Sequence, residues 1–311
     1  MSGKNEHEKG GWPMEGIDRA QCNLRALECA SEFLTRSARL ITAEDVRALT
    51  EGFGVSEREA VCALFCAACG LDEDANAEDR ALAREYFRES IRPLQARDIA
   101  RDPYYSRIRF PAARLGRWEL KQMAYEPYEL FVRDDLLCLP DGREIPRLGY
   151  FAERFPYPAV LEDGREWMTV TPNEIATMAD ALSQARGHVV AMGLGLGYFA
   201  FRASEKEDVS RVTVVERDRE AIALFRRFLL PQFPHADKVR VVRADAFDYA
   251  KETLPGADAD FVFVDLWHDV SDGAELYLRM KALEGGAPHA RFAYWIETSI
   301  RAFLRGLASD A

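Results

Sequence analysis

No apolar run in this sequence approaches the ~18 residues that a membrane-spanning helix requires. The first dozen residues, MSGKNEHEKGGW, lack the apolar stretch of an export signal. Both absences point to a cytoplasmic protein with no membrane partner. An excess of positive charge is missing as well: 41 basic against 52 acidic side chains leave −11, a balance that repels a nucleic-acid backbone. Paired Cys/His sets are absent too. Cys66-x-x-Cys69 has no second pair at zinc-finger spacing, and with Cys62 it falls on one face of a helix, a pattern of small buried side chains, so no metal is expected. Six cysteines (Cys22, Cys29, Cys62, Cys66, Cys69 and Cys138) without an export signal read as free thiols.

What is present divides the chain by pattern. Residues 1–13 read as a disordered tail, 14–116 as a helical region, 117–170 as a β-rich segment, and 171–311 as a nucleotide-type α/β domain. In the helical region Thr42 with Asp45 and Ser56 with Glu59 each fit a capping box. The stretch between them has the rhythm of a helix-turn-helix, but the second helix opens on Glu57 and Glu59 where phosphates would have to sit, so a plain helical hairpin is expected. A run of arginines (Arg97, Arg101, Arg107, Arg109, Arg114, Arg117) interleaved with Tyr104, Tyr105, Phe110 and Trp118 has the composition of an RNA footprint; we read it as a domain surface anchored by its aromatics. Asp163-Gly164 marks a hairpin, and Thr171-Pro172-Asn173-Glu174 starts a helix with a cap, a proline at its first position and a boxed carboxylate.

Beyond Gly187, short apolar runs at 188–192, 211–215, 239–243 and 261–264 alternate with helical patterns, and a fifth follows at 291–296 before a last helix over 299–307. The fold class is α/β: a Rossmann-like, doubly wound sheet of about five strands. Its first strand runs into Gly193-Leu194-Gly195-Leu196-Gly197, a glycine turn that opens a helix. Glu216 ends the next strand, 19 positions after Gly197, where a carboxylate accepts from a ribose diol. Asp245, followed by Ala246, ends the third strand within reach of an adenine amine, and Asp265, Trp267, His268 and Asp269 follow the fourth. The carboxyl ends of such strands face the ligand crevice.

Residues 188–284 resemble the class I S-adenosylmethionine-dependent methyltransferases, most closely the branch that includes the spermidine synthases. The resemblance rests on the glycine turn, Glu216-Arg217-Asp218, Leu229-Leu230-Pro231, Asp245-Ala246, Val264-Asp265 and the Asp163-Gly164 hairpin. It implies S-adenosylmethionine as cofactor, with Gly193, Gly195 and Gly197 around its methionine portion, Glu216 on the ribose, Asp245 and Ala246 at the adenine, and Asp265 at the edge of the reaction centre. Asp265, then His268 and Asp269, are the candidate catalytic groups, and the acceptor is expected to be a small molecule. The family pattern usually adds a final hairpin beyond the fifth strand, so either the last helix covers that sheet edge or a second subunit does, in a homo-oligomer.

The departures from that pattern carry information. Ala191 stands where methyltransferases usually have an acid, and Leu196, Trp167, Thr177 and Ala179 replace the polar groups with which spermidine synthases hold amines. Three rival readings remain: an aminopropyltransferase sharing the cofactor site, an NAD-dependent oxidoreductase sharing the glycines and Glu216, and a non-enzymatic sensor of S-adenosylmethionine using the helical module.

Overall fold

A computed structural model describes residues 18–309; the tail expected at 1–13 lies outside the described residues. Three helices come first: α1 (Arg19–Arg36), capped by Asp18, then α2 (Ala43–Phe53) and α3 (Glu57–Ala68), each opening on the capping box read from the sequence. Gly54, in the left-handed region at φ 66°, ends α2 and turns the chain into α3. The α2–α3 pair is a packed hairpin. Val61, Phe65 and Cys66 of α3 are buried with Phe33 of α1, and Glu57 accepts hydrogen bonds from Tyr128 and Tyr150. Leu148 and Tyr150 join that same core, and the two-residue strand Arg92–Pro93 pairs with the strand Leu148–Tyr150, so part of the β-rich segment is built into the helical unit.

The rest of that segment forms an antiparallel sheet of β1 (Ala113–Leu115), β2 (Trp118–Tyr125), β3 (Phe155–Glu162) and β4 (Arg165–Thr169). Asp163 and Gly164, both at positive φ (49° and 81°), turn β3 into β4, as a two-residue hairpin requires. Next come α4 (Pro172–Gln184) and a parallel sheet of β5 (Gly187–Met192), β6 (Val209–Glu216), β7 (Val239–Arg243), β8 (Phe261–Val264) and β9 (Arg291–Tyr294), in the order β7-β6-β5-β8-β9. Crossover helices α5 (Tyr198–Ser204), α6 (Arg219–Phe228) and α7 (Val270–Lys281) link the strands, and α8 (Glu297–Ser309) ends the described chain.

Burial explains the apolar runs. Val189, Ala191, Val212, Val214, Phe261 and Phe263 face one core, which also takes Trp118, Leu120 and Val160 of the antiparallel sheet; Val190, Met192, Val215, Val262 and Val264 face another. A parallel sheet covered on both sides needs continuous apolar strands. Strand β9 ends at Tyr294, two residues before the expected limit, because Ile296 takes a left-handed φ of 46° and turns the chain into α8, which begins at Glu297 rather than 299. No helix among the described residues is long and apolar enough to cross a membrane.

Candidate functional site

Strand order reverses between β5 and β8, and ligand crevices in such sheets open at the carboxyl ends of the strands beside that reversal. A cavity of about 680 Å³ lies there. One wall is the glycine turn after β5. Gly193 has φ +104°, and a Cβ on it would lie 2.0 Å from the carbonyl oxygen of Asp265; a Cβ on Gly195 would lie 1.8 Å from the Met168 sulfur. The turn is thus bare because other parts of the protein press on it. Gly197 caps α5, packs on Phe225 and does not line the cavity. The turn is also tied from behind, where the Tyr104 hydroxyl donates to the Leu196 carbonyl at 2.6 Å.

Glu216 closes β6 and lines the same cavity. Its Oε1 accepts from the Asp218 amide at 2.8 Å, and burial pushes its carboxyl above the ordinary range. Asp218 ties this edge to the antiparallel sheet, accepting from the Trp118 indole at 3.0 Å and from Arg117 at 2.6 Å. Asp245 caps the short helix Ala246–Asp248, accepting at Oδ1 from the amides of Phe247 (2.8 Å) and Asp248 (3.3 Å), and Ala246 lies beside it on the wall.

Asp265 follows β8, with its amide held by the Met192 carbonyl at 2.9 Å. What accessibility it keeps belongs to the cavity wall. Burial, and secondly the charge of Glu174, push its carboxyl up to about 8. Glu174 stands in the first turn of α4 and is itself buried; its carboxylate accepts from the Thr171 amide at 2.8 Å, from the Thr171 hydroxyl and from the Thr169 hydroxyl at 3.3 Å.

Of the residues expected in the site, Gly193, Gly195, Glu216, Asp245, Ala246, Asp265 and His268 meet around one cavity. His268 is exposed at its mouth, paired with Asp272 at 3.2 Å and set edge-on to Trp167 at 4.2 Å between centroids. Asp269 is the N-cap of α7 and does not line the cavity. Sequence reasoning missed Glu174 and Glu166, and with them Trp118 and Trp295. The one usable signal was the Thr171 capping box, which marks Glu174 as a held carboxylate but not what it faces. The buried indole N–H of Trp267, a residue of the same wall, has no hydrogen-bond partner among the described residues. In the arginine and aromatic run Tyr104 and Trp118 are buried, Arg107 pairs with Glu205, and Arg117 pairs with Glu162 and Asp218.

No family model matches the chain, and no curated protein matches it. Solved structures do. A precorrin-8W decarboxylase of Methanobacterium thermoautotrophicum is 23% identical over 44% of this chain and 73% of that chain, with a TM-score of 0.32. A spermidine synthase in complex with the transition-state analogue AdoDATO is 16% identical over 49% of this chain and 61% of that one, with a TM-score of 0.37. A spermidine synthase from Thermotoga maritima is 14% identical over 49% and 59%, with a TM-score of 0.34.

Proposed function

We propose that this protein binds S-adenosylmethionine and transfers its methyl group to a small-molecule acceptor. The observation that supports this is the convergence, on one cavity of about 680 Å³, of a bare glycine turn and three strand-end carboxylates from successive strands of a doubly wound sheet. In this reading Glu216 takes the ribose diol, Asp245 and Ala246 hold the adenine edge, Gly193 and Gly195 leave room for the methionine portion, and Asp265 borders the reacting sulfur. The donor set fits the group, since a half-buried carboxyl on the cavity wall, with no basic partner among the described residues, suits a cationic sulfonium. When bound, that cofactor supplies an electrophilic methyl; the protein's own task is alignment and exclusion of water. The antiparallel sheet covers the glycine turn through Met168, and Asp265 is the group placed to take a proton from an acceptor that must lose one.

A second reading, aminopropyl transfer, draws support from Glu166 and Glu174 in the cavity wall, which would suit an ammonium. It is opposed by Trp167 and by Thr177, whose hydroxyl is already engaged by the Asn173 carbonyl at 2.8 Å and the Trp295 indole at 2.9 Å. Titration calorimetry with S-adenosylmethionine, S-adenosylhomocysteine and NAD tests the proposal. Binding of the two sulfur nucleosides but not of NAD is expected; tight NAD binding with no response to either would overturn it.

A further inference from the structure

Four of the five tryptophans in the sequence line this one cavity: Trp118, Trp167, Trp267 and Trp295. Two are pinned by their indole nitrogens, Trp118 donating to Asp218 at 3.0 Å and Trp295 to Thr177 at 2.9 Å. Trp167 is placed differently. Across β3 and β4, Val160 opposes Met168 and Leu161 opposes Glu166, so Trp167 is the extra residue of a β-bulge, with no partner on the facing strand. Regular alternation would send Trp167 to the opposite face from Glu166 and Met168; with the bulge, all three line the cavity. Its ring stands nearly perpendicular to Trp118 (5.7 Å between centroids) and to His268 (4.2 Å), and 37% of the residue stays exposed. The lost ladder pairing and the unburied indole both fall on the wall of the site, where a flat apolar guest would cover the ring.

The charge beside these rings is negative. Glu166 and Glu174 line the cavity with no cationic partner among the described residues, Arg117 is committed to Glu162 and Asp218, and His268 is paired with Asp272. Arg217 is exposed next to Glu216, on the strand-end side. Carboxylates oppose an anionic guest and favour a cationic one, and indole is the aromatic side chain that attracts a cation best.

Resting on the proposed methyl transfer, we infer that the acceptor is a planar nitrogen heteroaromatic methylated at a ring nitrogen, and that Trp167 selects it for flatness. The balance of the step fits the wall. The lone pair of the ring nitrogen forms the new N–CH3 bond, the S–CH3 bond breaks with its electron pair going to sulfur, and one positive charge passes from the sulfonium to the ring. No proton has to leave, and the cavity holds a cation before and after the transfer. A phenol would have to develop anionic charge near Glu166 and Glu174, whereas an alkylammonium would have to give up a proton first and offers no flat face to Trp167.

Calorimetry on the protein saturated with S-adenosylhomocysteine tests both halves, using N-methylquinolinium as flat cation, protonated N-methyldecahydroquinoline as saturated cation and 2-naphthoate as flat anion. The flat cation should bind about tenfold more tightly than either of the others. Trp167→Ala should bring the two cations within about threefold of each other while S-adenosylhomocysteine binds as before, and Trp167→Phe, which keeps a ring, should retain most of the preference. Glu166→Gln should narrow the gap between quinolinium and naphthoate. With labelled S-adenosylmethionine, quinoline should take up methyl and 2-naphthol and cyclohexylmethylamine should not. Equal affinity of the flat and saturated cations in the wild-type protein, no uptake by quinoline, or uptake by the naphthol or the alkylamine would each overturn this inference, and the cofactor reading would stand so long as S-adenosylhomocysteine binds. Failure of S-adenosylhomocysteine to bind would overturn the proposed function and this inference with it.

Discussion

Replacing Asp265 by asparagine should make the protein more stable, by an amount that grows with pH. A carboxyl whose folded pKa lies above its unfolded value binds more protons in the folded state, so its contribution is fully present below the unfolded pKa and is lost as pH rises through the folded one. For Asp265 that window runs from 3.8 to about 8. Across it the slope is about 1.4 kcal/mol per pH unit, so folding at pH 7 is weakened by up to about 4 kcal/mol relative to the acid limit. Asparagine has the shape of the protonated acid and cannot ionise. Urea unfolding followed by tryptophan fluorescence at pH 5, 6, 7 and 8 would give the difference between variant and wild type at each pH. Glu174 and Glu216 are also pushed up by burial; because they are common to both proteins, the difference reports Asp265 together with its coupling to Glu174. It should widen by roughly 3 kcal/mol between pH 5 and 7 and level off above pH 8. Parallel stability curves would mean that Asp265 titrates as an ordinary surface carboxylate and that the crevice does not oppose its ionisation.

Three further outcomes are expected. Glu216→Ala should weaken S-adenosylhomocysteine binding by well over tenfold, about 2–4 kcal/mol for two charge-assisted bonds to a diol, with the unfolding midpoint retained; an unchanged dissociation constant in calorimetry would remove Glu216 from the site. Gly193→Ala should cost at least about 2 kcal/mol of stability by chemical denaturation, because a positive-φ position gains a side chain that meets the backbone oxygen of Asp265 at 2.0 Å; a wild-type unfolding curve would contradict the close approach of turn and strand. Spermidine should not form from putrescine and decarboxylated S-adenosylmethionine, because Trp167 adds bulk to the cavity wall beside Glu166 and the Thr177 hydroxyl is already engaged, and turnover at ordinary enzymatic rates in that assay would move the protein to the second reading.

The parallel sheet was legible because its physics is local. A strand covered on both faces must be apolar throughout, and runs such as Phe261–Val264 carry that requirement in four residues. The caps at Thr42, Ser56 and Thr171 are legible for the same reason: donor and acceptor lie three residues apart. Strand limits were less so. Ile296 takes a left-handed conformation that no local pattern announces in a β-branched residue, and it moved the end of β9 and the start of α8.

The strand-end side of the cavity was legible for a reason of topology: in a doubly wound sheet every strand end arrives at the same crevice, so acids read at strand ends in sequence order must be neighbours in space. The opposite wall obeys no such rule. Alternation in β3 and β4 says that Met168 and Trp167 point to opposite faces, but not that one will close on Gly195 and the other on His268 and Trp118. Glu174 shows the same limit in sharper form. Its capping partner Thr171 lies three residues away, whereas Asp265, which lines the same cavity, is 91 positions along the chain. Under the proposed function, that wall is the one left to select the acceptor. Exchanging residues 165–169 and 174 should therefore alter which acceptor is used while leaving nucleoside affinity to Glu216 and Asp245. If nucleoside affinity collapsed in a folded variant of this kind, the division of the cavity into a cofactor side and an acceptor side would fail.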